Sequence, residues 1–285
     1  MDEKALGKRL QLARRRAGLT QQELCQKAGL SYSTLAKIER GAIKSPSVFT
    51  VAAIAGATNT VIEDLLNLQP QGNNNSPALT NSKKRAKSGV TFVYFDVNGV
   101  CVRFLHKAFT EISRESGKSI DFVETLFWRH NDSATSGEMT MDEFNQVLGR
   151  ELEIENFDWV PYYMNNVEQM PGIEGLIKWA AEYYEVGLLS NIMPGFIDLL
   201  IERNLIPKVN YKVIIDSSRV GALKPTPKIY EIAQQLAAVD PAEILTIDDD
   251  RTNLVTADRL GWHVVWFDEI RPDESIERAK AALEF

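Results

Sequence analysis

The stretch that decides the fold class of the larger part of the chain is Val90-Thr91-Phe92-Val93-Tyr94-Phe95-Asp96-Val97-Asn98-Gly99, residues 90–99. Its first six residues form an apolar run that predicts a buried strand. A carboxylate, Asp96, follows directly, where ligands bind in open parallel sheets. Two positions later stands Asn98, an amide, which donates hydrogen bonds but does not release and regain a proton near neutral pH. The stretch therefore predicts a site with a carboxylate nucleophile and no proton carrier beside it.

Short apolar runs alternate with longer helical patterns in the rest of this part of the chain, and this alternation predicts a parallel sheet with helices on both faces. The predicted strands lie near residues 90–95, 186–190, 211–215, 243–247 and 263–267. Polar side chains follow several of these runs: Asp96, then Ser190 and Asn191, then Asp248, Asp249 and Asp250. Lys224 stands before a predicted helix, in the segment GALKPTPKIY. Singly, such an acid is a strand-end or helix-capping residue, but together and in order they indicate one ligand site.

The order of these motifs over residues 90–270 resembles the haloacid dehalogenase-like (HAD) hydrolase superfamily. The resemblance implies an α/β Rossmann-like domain over residues 90–285, with a helical cap inserted at about residues 104–170. It also implies a Mg²⁺ site for phosphoryl transfer. In that site Asp96 is the nucleophile and a metal ligand, Asn98 binds the metal through its backbone carbonyl, and Asp249, assisted by Asp248, completes the metal site. Ser190 and the backbone of Asn191 hold phosphoryl oxygens, Lys224 neutralises the phosphoryl charge, and Asn253 matches the last polar position of the paired-acid motif.

The expected cap carries apolar residues at helical spacing, which indicates core packing. Trp128, Arg129, Tyr162 and Tyr163 are candidates for lining the pocket beneath it. Of these, Arg129 is the candidate for a second contact with an anionic ligand. A cap of this kind shields the site from water and selects the ligand.

Residues 1–68 carry no strand pattern, and their helical start and stop signals predict an all-α bundle of five short helices. Thr20 and Ser31 are the predicted N-caps of the second and third helices. Two further apolar helical stretches cover about residues 48–57 and 61–66.

The segment LTQQELCQKAGLSYSTLAKIERG, residues 19–41, resembles the helix-turn-helix of the phage-repressor-like XRE family, and the resemblance extends over about residues 5–66. It implies binding to double-stranded DNA, usually as a homodimer on two half-sites roughly one helical turn apart. The third helix then presents Tyr32, Ser33 and Lys37 to base edges, while Thr20, Gln21 and Lys44 contact the phosphate backbone. The resemblance also implies a structural ion pair between Arg14 and Glu39 that ties the first helix to the third.

A flexible basic linker is predicted over residues 69–89, which read QPQGNNNSPALTNSKKRAKSG and have almost no apolar content. Residues 1–89 hold 14 Lys and Arg against 6 Asp and Glu, whereas the remainder holds 18 against 33. This division fits a polyanion-binding module joined to an acidic partner. No apolar stretch approaches the roughly 20 residues of a membrane span, and the N-terminus lacks an apolar signal segment, so a cytoplasmic protein is expected.

Asn98 leaves three functions open. The chain is an active Mg²⁺-dependent phosphatase fused to a DNA-binding module, or a transcription regulator whose HAD-like domain senses Mg²⁺ and a phosphorylated small molecule, or a regulator whose second domain is a non-catalytic dimerisation scaffold. A nucleophile without a proton carrier favours the sensor, because general acid and base help typically contributes about 100- to 10,000-fold to such reactions.

Overall fold

The computed structural model describes residues 3–43, 46–58, 60 and 83–284. The chain divides into two compact units, Met1–Ala78 and Leu79–Phe285. Most of the predicted linker and the predicted helix near residues 61–66 lie outside the described residues. None of the helices in the described ranges is long and apolar enough to span a membrane.

Four helices of the first unit are described: α1 (Glu3–Arg16), α2 (Gln21–Ala28), α3 (Tyr32–Glu39) and α4 (Val48–Thr58). The predicted N-caps are present. Thr20 and Glu23 form a reciprocal capping box at the start of α2, and the Ser31 side chain accepts from Thr34 N at the start of α3. Gly29 ends α2 with a φ of 64°, a left-handed conformation that glycine adopts without strain. The tight turn between α2 and α3 is therefore specified by local sequence alone.

A buried ion pair joins α1 to α3, as the resemblance to the XRE family implies. Arg14 Nε donates to Glu39 Oε1 at 2.6 Å and Arg14 Nη2 to Glu39 Oε2 at 3.1 Å. Gln21 Nε2 adds a third donor, 2.8 Å from Glu39 Oε2. Because both charged residues are buried, this pair locks the relative placement of the two helices.

The second unit contains a five-stranded parallel sheet in the order β5-β4-β1-β6-β7 and a two-stranded antiparallel pair, β2 with β3. The strands are β1 (Phe92–Phe95), β2 (Val102–Phe104), β3 (Val167–Gln169), β4 (Glu185–Ser190), β5 (Val213–Asp216), β6 (Ile244–Asp248) and β7 (His263–Trp266). The five predicted strands are thus confirmed, and the short pair β2–β3 has no counterpart in the sequence prediction. Three-residue strands give too short a pattern to be recognised.

The helices of the second unit cover both faces of the sheet. They are α5 (Lys107–Ser116), α6 (Ile120–Thr135), α7 (Met141–Leu152), α8 (Trp159–Asn165), α9 (Ile173–Tyr183), α10 (Phe196–Glu202), α11 (Ser217–Val220), α12 (Pro227–Ala237), α13 (Arg251–Arg259) and α14 (Pro272–Ala282). Along β1, Phe92 and Tyr94 enter one apolar cluster while Val93 and Phe95 enter the other. All four are fully buried, as expected for a central strand of a covered parallel sheet.

Helices α5 to α8 form a helical insertion between β2 and β3, so the antiparallel pair is the base of the cap. These helices lie within residues 104–170, the range in which the cap is predicted. Its aromatic residues pack mainly among themselves, with Trp159 only 1% exposed and its ring 4.6 Å from that of Phe127.

The last residues of the predicted linker, residues 83–89, belong to the second unit and hydrogen-bond to other parts of it. Lys84 N donates to Tyr183 O at 2.6 Å and Lys87 N to Glu284 O at 2.7 Å. Arg85 pairs with Glu243. The basic residues of this segment therefore meet helix ends and acids of the acidic unit.

Candidate functional site

Sheet topology brings three of the predicted site residues together. Strand β1 lies between β4 and β6, with Phe95 opposite both Leu188 and Ile247. Asp96, Ser190 and Asp248 therefore stand side by side at the carboxyl edge of the sheet, and all three are buried. Residues separated by about 150 positions in sequence thus share one site because their strands are neighbours and parallel.

Lys224 bridges the two carboxylates at the base of this site. Its Nζ lies 2.8 Å from Asp96 Oδ2 and 2.6 Å from Asp248 Oδ2, and the residue is only 4% exposed. Burial alone lowers the pKa of Lys224, but the Asp96 and Asp248 carboxylates outweigh that effect and raise it. The lysine is therefore held as a cation at neutral pH.

The side chain of Asn191 positions the loop that carries Lys224. Asn191 Oδ1 accepts from Lys224 N at 2.8 Å, and Asn191 Nδ2 donates to Lys224 O at 2.8 Å. The family resemblance implies a role for the backbone of Asn191 alone, and the structure adds this function of its side chain.

Three carboxylates converge next to the lysine. One oxygen from each of Asp96, Asp248 and Asp249 lies within 4.8 Å of the others. Asn253 Nδ2 donates to Asp248 Oδ1 at 3.0 Å, and Asp250 N donates to the same oxygen at 2.9 Å. The Asp248 carboxylate is thereby fixed, while Asp249 is half-buried and faces the cavity above.

Burial and the repulsion between carboxylates raise the pKa of two of these acids, Asp96 and Asp249. Burial, partly offset by Lys224, raises the pKa of Asp96 to about 6. Burial and the neighbouring Asp96 and Asp248 raise the pKa of Asp249 to about 7. One lysine does not balance three clustered carboxylates, so the donor set fits a hard divalent cation bound through oxygen, such as Mg²⁺.

Ser190 supplies a buried hydroxyl at this edge of the sheet. Its Oγ makes no hydrogen bond of full geometry among the described residues, although it lies near enough to the Asp96 carboxylate to offset part of the rise in the pKa of that group. A buried hydroxyl without a well-formed hydrogen bond is costly, and a ligand oxygen at this place would satisfy it. The atom therefore fits a role in holding a phosphoryl oxygen.

Asn98 is held by the cap. Tyr163 Oη donates to Asn98 Oδ1 at 2.7 Å, so the side-chain carbonyl of the amide faces the tyrosine. Next to it, Gly99 has a φ of 83°, and a Cβ at this position would lie 2.2 Å from Asp249 Oδ2. Only glycine permits the first loop to approach the third acid this closely.

Comparisons with known proteins agree with these two architectures. Residues 10–65 match the family model of helix-turn-helix domains. A predicted HAD-like family hydrolase from Porphyromonas gingivalis is 24% identical with a TM-score of 0.54, covering 63% of this chain and 92% of that one. A HAD family enzyme from Bacteroides thetaiotaomicron, solved with magnesium and inorganic phosphate, is 18% identical with a TM-score of 0.56, covering 64% and 95%. The chain joins a helix-turn-helix domain to a HAD-like fold.

A curated relative matches only part of the chain. Acyl-CoA dehydrogenase family member 10 of Mus musculus is 28% identical over 101 residues, which are 35% of this chain and 9% of the mouse protein. The chain thus corresponds to a small fraction of that relative's length.

The HAD-like domain encloses a cavity of about 520 Å³ between its sheet edge and its cap. Asp96, Asn98, Lys224, Asp249 and Asn253 lie on the sheet side of the cavity. On the cap side, two candidates from the sequence line the cavity, Trp128 and Tyr163, and two do not, Arg129 and Tyr162. Arg129 is exposed, and Tyr162 Oη hydrogen-bonds to Glu115 instead.

Two cavity residues that sequence reasoning missed are Arg103 and Phe104, in the short strand β2. Arg103 Nη2 donates to Glu269 O at 2.5 Å, and the Phe104 ring stacks 5.4 Å from that of Tyr163. Neither belongs to a recognisable motif. The signal in the sequence is that both residues follow the Asp96 motif by only a few positions.

On the helix-turn-helix domain, α3 exposes the predicted base-contacting residues. Tyr32 is 55% exposed, and Ser33 and Lys37 are exposed on the same short helix. Thr20 is exposed at the start of α2, whereas the Gln21 amide donates to Glu39. Lys44 lies outside the described residues. The side chains of Tyr32, Ser33 and Lys37 on α3 are thus accessible, and Gln21 already has a partner within the domain.

Proposed function

We propose that this chain is a sequence-specific DNA-binding transcription regulator, active as a homodimer, whose HAD-like domain binds Mg²⁺ and a phosphorylated small molecule as a sensor. The observation that carries this proposal is Asn98, an amide that accepts a hydrogen bond from Tyr163, beside an acid cluster that contains a buried lysine and a buried serine hydroxyl. Such a site retains the groups for binding and lacks one group for turnover.

The residues that hold the cation are Asp96 and Asp249, with Asp248 in support. Because these carboxylates are buried or half-buried and close together, a bound cation would stabilise their ionised forms. The raised pKa values of Asp96 and Asp249 are consistent with this. Mg²⁺, when bound, supplies charge that lets these carboxylates remain ionised and attracts an anionic phosphoryl group. Ser190 Oγ and the backbone of Asn191 then hold phosphoryl oxygens, and Lys224 neutralises the remaining charge.

Turnover is disfavoured because Asn98 does not supply a proton to the leaving group. Attack of an Asp96 oxygen on phosphorus forms an aspartyl-phosphate and breaks the bond to the leaving oxygen, which then needs a proton. Asn98 has none to give, and its side-chain oxygen already accepts from Tyr163. Loss of general-acid help slows such a step by about 100- to 10,000-fold.

An active phosphatase is the second candidate, and the position of Asp96 favours it. The carboxylate is in place, and Lys224 lies 2.8 Å from it to neutralise charge. Leaving groups that need little protonation, such as those of sugar 1-phosphates or acyl phosphates, suit this activity.

Phosphate release from a panel of phosphorylated metabolites, measured with Mg²⁺, distinguishes the two candidates. We expect little release by the native chain, release in Asn98→Asp, and none in Asp96→Asn. A native release that Asp96→Asn abolishes would establish the enzyme and overturn the sensor.

Sensing requires that ligand changes DNA binding. An operator enriched from a random duplex pool by the full chain provides the probe, and its affinity is compared with and without Mg²⁺ and ligand. An unchanged affinity would leave the HAD-like domain without a sensory role.

A further inference from the structure

The cavity wall contributed by the cap and its surroundings is aromatic. Six aromatic side chains line it: Phe104, Phe127, Trp128, Trp159, Tyr163 and Phe196. Several are stacked on each other, such as Phe104 on Tyr163 at 5.4 Å with an angle of 11° between rings. The carboxylates of the cavity follow strands of the sheet, whereas the polar side chains on the cap side are His106, Asn131 and Thr135. The cavity therefore has an ionic floor and a wall that is mostly aromatic.

Trp128 differs from its neighbours in this wall because much of its side chain is exposed. It is 54% exposed, although Phe127 next to it and Trp159 are buried. The Phe127 ring lies nearly perpendicular to the Trp128 indole, with an angle of 88° between the rings and a centroid distance of 5.1 Å. An indole exposed at the wall of a ligand cavity offers apolar area that a flat ligand ring would cover.

The basic side chains that line the cavity in the described structure already face oxygen partners. Lys224 is shared by Asp96 and Asp248. Arg103 donates to Glu269 O and lies 3.5 Å from Glu168 Oε1, and His106 Nδ1 lies 3.5 Å from Glu124 Oε1. The wall is therefore poorly suited to a second phosphate or carboxylate on the ligand.

We propose that the cavity selects a phosphate monoester whose body is a flat aromatic ring system, with Trp128 as the specificity-determining residue. This inference rests on the proposed binding of a phosphorylated small molecule and specifies its class. The phosphoryl group lies at the floor that Asp96 and Lys224 line, and the ring covers the exposed face of Trp128. A polar, flexible body such as a polyol would leave that indole uncovered.

Three phosphonates, which are not hydrolysed at phosphorus, test the proposal on the full chain with Mg²⁺: methylphosphonate, dihydroxypropylphosphonate and naphthylmethylphosphonate. Calorimetry measures each Kd. We expect naphthylmethylphosphonate to bind roughly tenfold tighter than the other two, since aromatic contacts add to the area that is buried. Trp128→Ala should reduce this preference to about twofold, while Leu236→Ala, which removes an exposed apolar side chain outside the cavity, should retain it.

The outcomes separate the two proposals. Equal binding of all three phosphonates would overturn the aromatic class, and an aromatic preference that survives Trp128→Ala would overturn the role of Trp128. Either result leaves the proposed phosphate binding intact. Failure of all three phosphonates and of inorganic phosphate to bind would overturn the proposed function itself.

Discussion

At the scale of single residues, Gly99 shows how closely the site is built. A Cβ at this position would lie 2.2 Å from Asp249 Oδ2. We expect Gly99→Ala to displace the Asp249 carboxylate and to weaken Mg²⁺ binding about tenfold or more, because a divalent cation needs its oxygen ligands in place. Calorimetric titration with Mg²⁺ measures the change.

Gly221→Ala is the matched control for this substitution. Gly221 also has a positive φ, 64°, but its Cβ would meet nothing within 4 Å. Both variants carry the strain of alanine in a left-handed conformation, about 1 kcal/mol. Equal Mg²⁺ affinities in the two variants would show that backbone strain, and not the contact with Asp249, explains any loss.

Glu39 is a buried charged residue of the helix-turn-helix domain whose role can be tested in the same way. Burial acts to raise its pKa, but the hydrogen bonds from Arg14 and Gln21 outweigh burial and lower it. The ionised form therefore stabilises the domain above the ordinary pKa of glutamate, and this contribution is lost as the pH falls through the lowered pKa. Glu39→Gln leaves the Arg14 guanidinium buried without its counter-charge and should cost about 3 kcal/mol.

Hydrogen exchange of the α1 and α3 amides in the full chain measures this cost and its pH dependence. Protection should fall in Glu39→Gln, and the difference from the native chain should shrink at acidic pH. Glu174→Gln removes a partner of the exposed pair with Lys178 and should change the protection of α9 little. Protection in α1 and α3 that is the same in the native chain and in Glu39→Gln would contradict the structural role of the pair.

At the scale of elements, the loop after β4 holds the loop before α12 through one amide. Asn191→Ala removes both hydrogen bonds to the Lys224 backbone. At about 1 kcal/mol per bond, methylphosphonate should bind roughly tenfold or more weakly. Asn191→Asp, which still accepts from Lys224 N but does not donate to its carbonyl, should give an intermediate affinity. An affinity for methylphosphonate in Asn191→Ala equal to that of the native chain would show that the Lys224 loop does not need these two hydrogen bonds.

The helix α3 is the element that the proposed function places in the major groove. Lys37→Ala should reduce the preference for operator over random DNA about tenfold, because a lost base contact costs about 1–3 kcal/mol. Lys8→Ala, on α1, should leave that ratio unchanged even if overall affinity falls. Competition binding at fixed salt measures both ratios, and equal effects of the two variants would remove Lys37 from base recognition.

At the scale of the whole molecule, the proposed function requires that ligand binding to the HAD-like domain and DNA binding to the helix-turn-helix domain affect each other. If ligand changes DNA affinity by some factor, DNA must change ligand affinity by the same factor. We expect this reciprocity for Mg²⁺ with naphthylmethylphosphonate and operator DNA, measured by titrating each in the presence of the other. A ligand affinity that is indifferent to operator would mean that the two domains act independently.

Much of the fold follows from local patterns. Apolar runs placed the five parallel strands, because a buried central strand is apolar along its length, as β1 is. Cap and stop signals such as Thr20 and Gly29 placed α2, because they satisfy the helix's own backbone groups. The pair β2–β3 escaped prediction, since its three-residue strands are defined by each other and not by a periodic pattern.

The sequence by itself determined the two architectures and the order of the strand-end residues Asp96, Ser190, Lys224 and Asp248, because these depend on short-range patterns that each segment carries alone. The tertiary structure decided what those side chains touch. The Asn191 clamp on Lys224, the Tyr163 hydroxyl on Asn98 and the exposed indole of Trp128 in an aromatic wall each join segments distant in sequence. Such contacts depend on strand order and on the packing of the cap, and no local pattern encodes them.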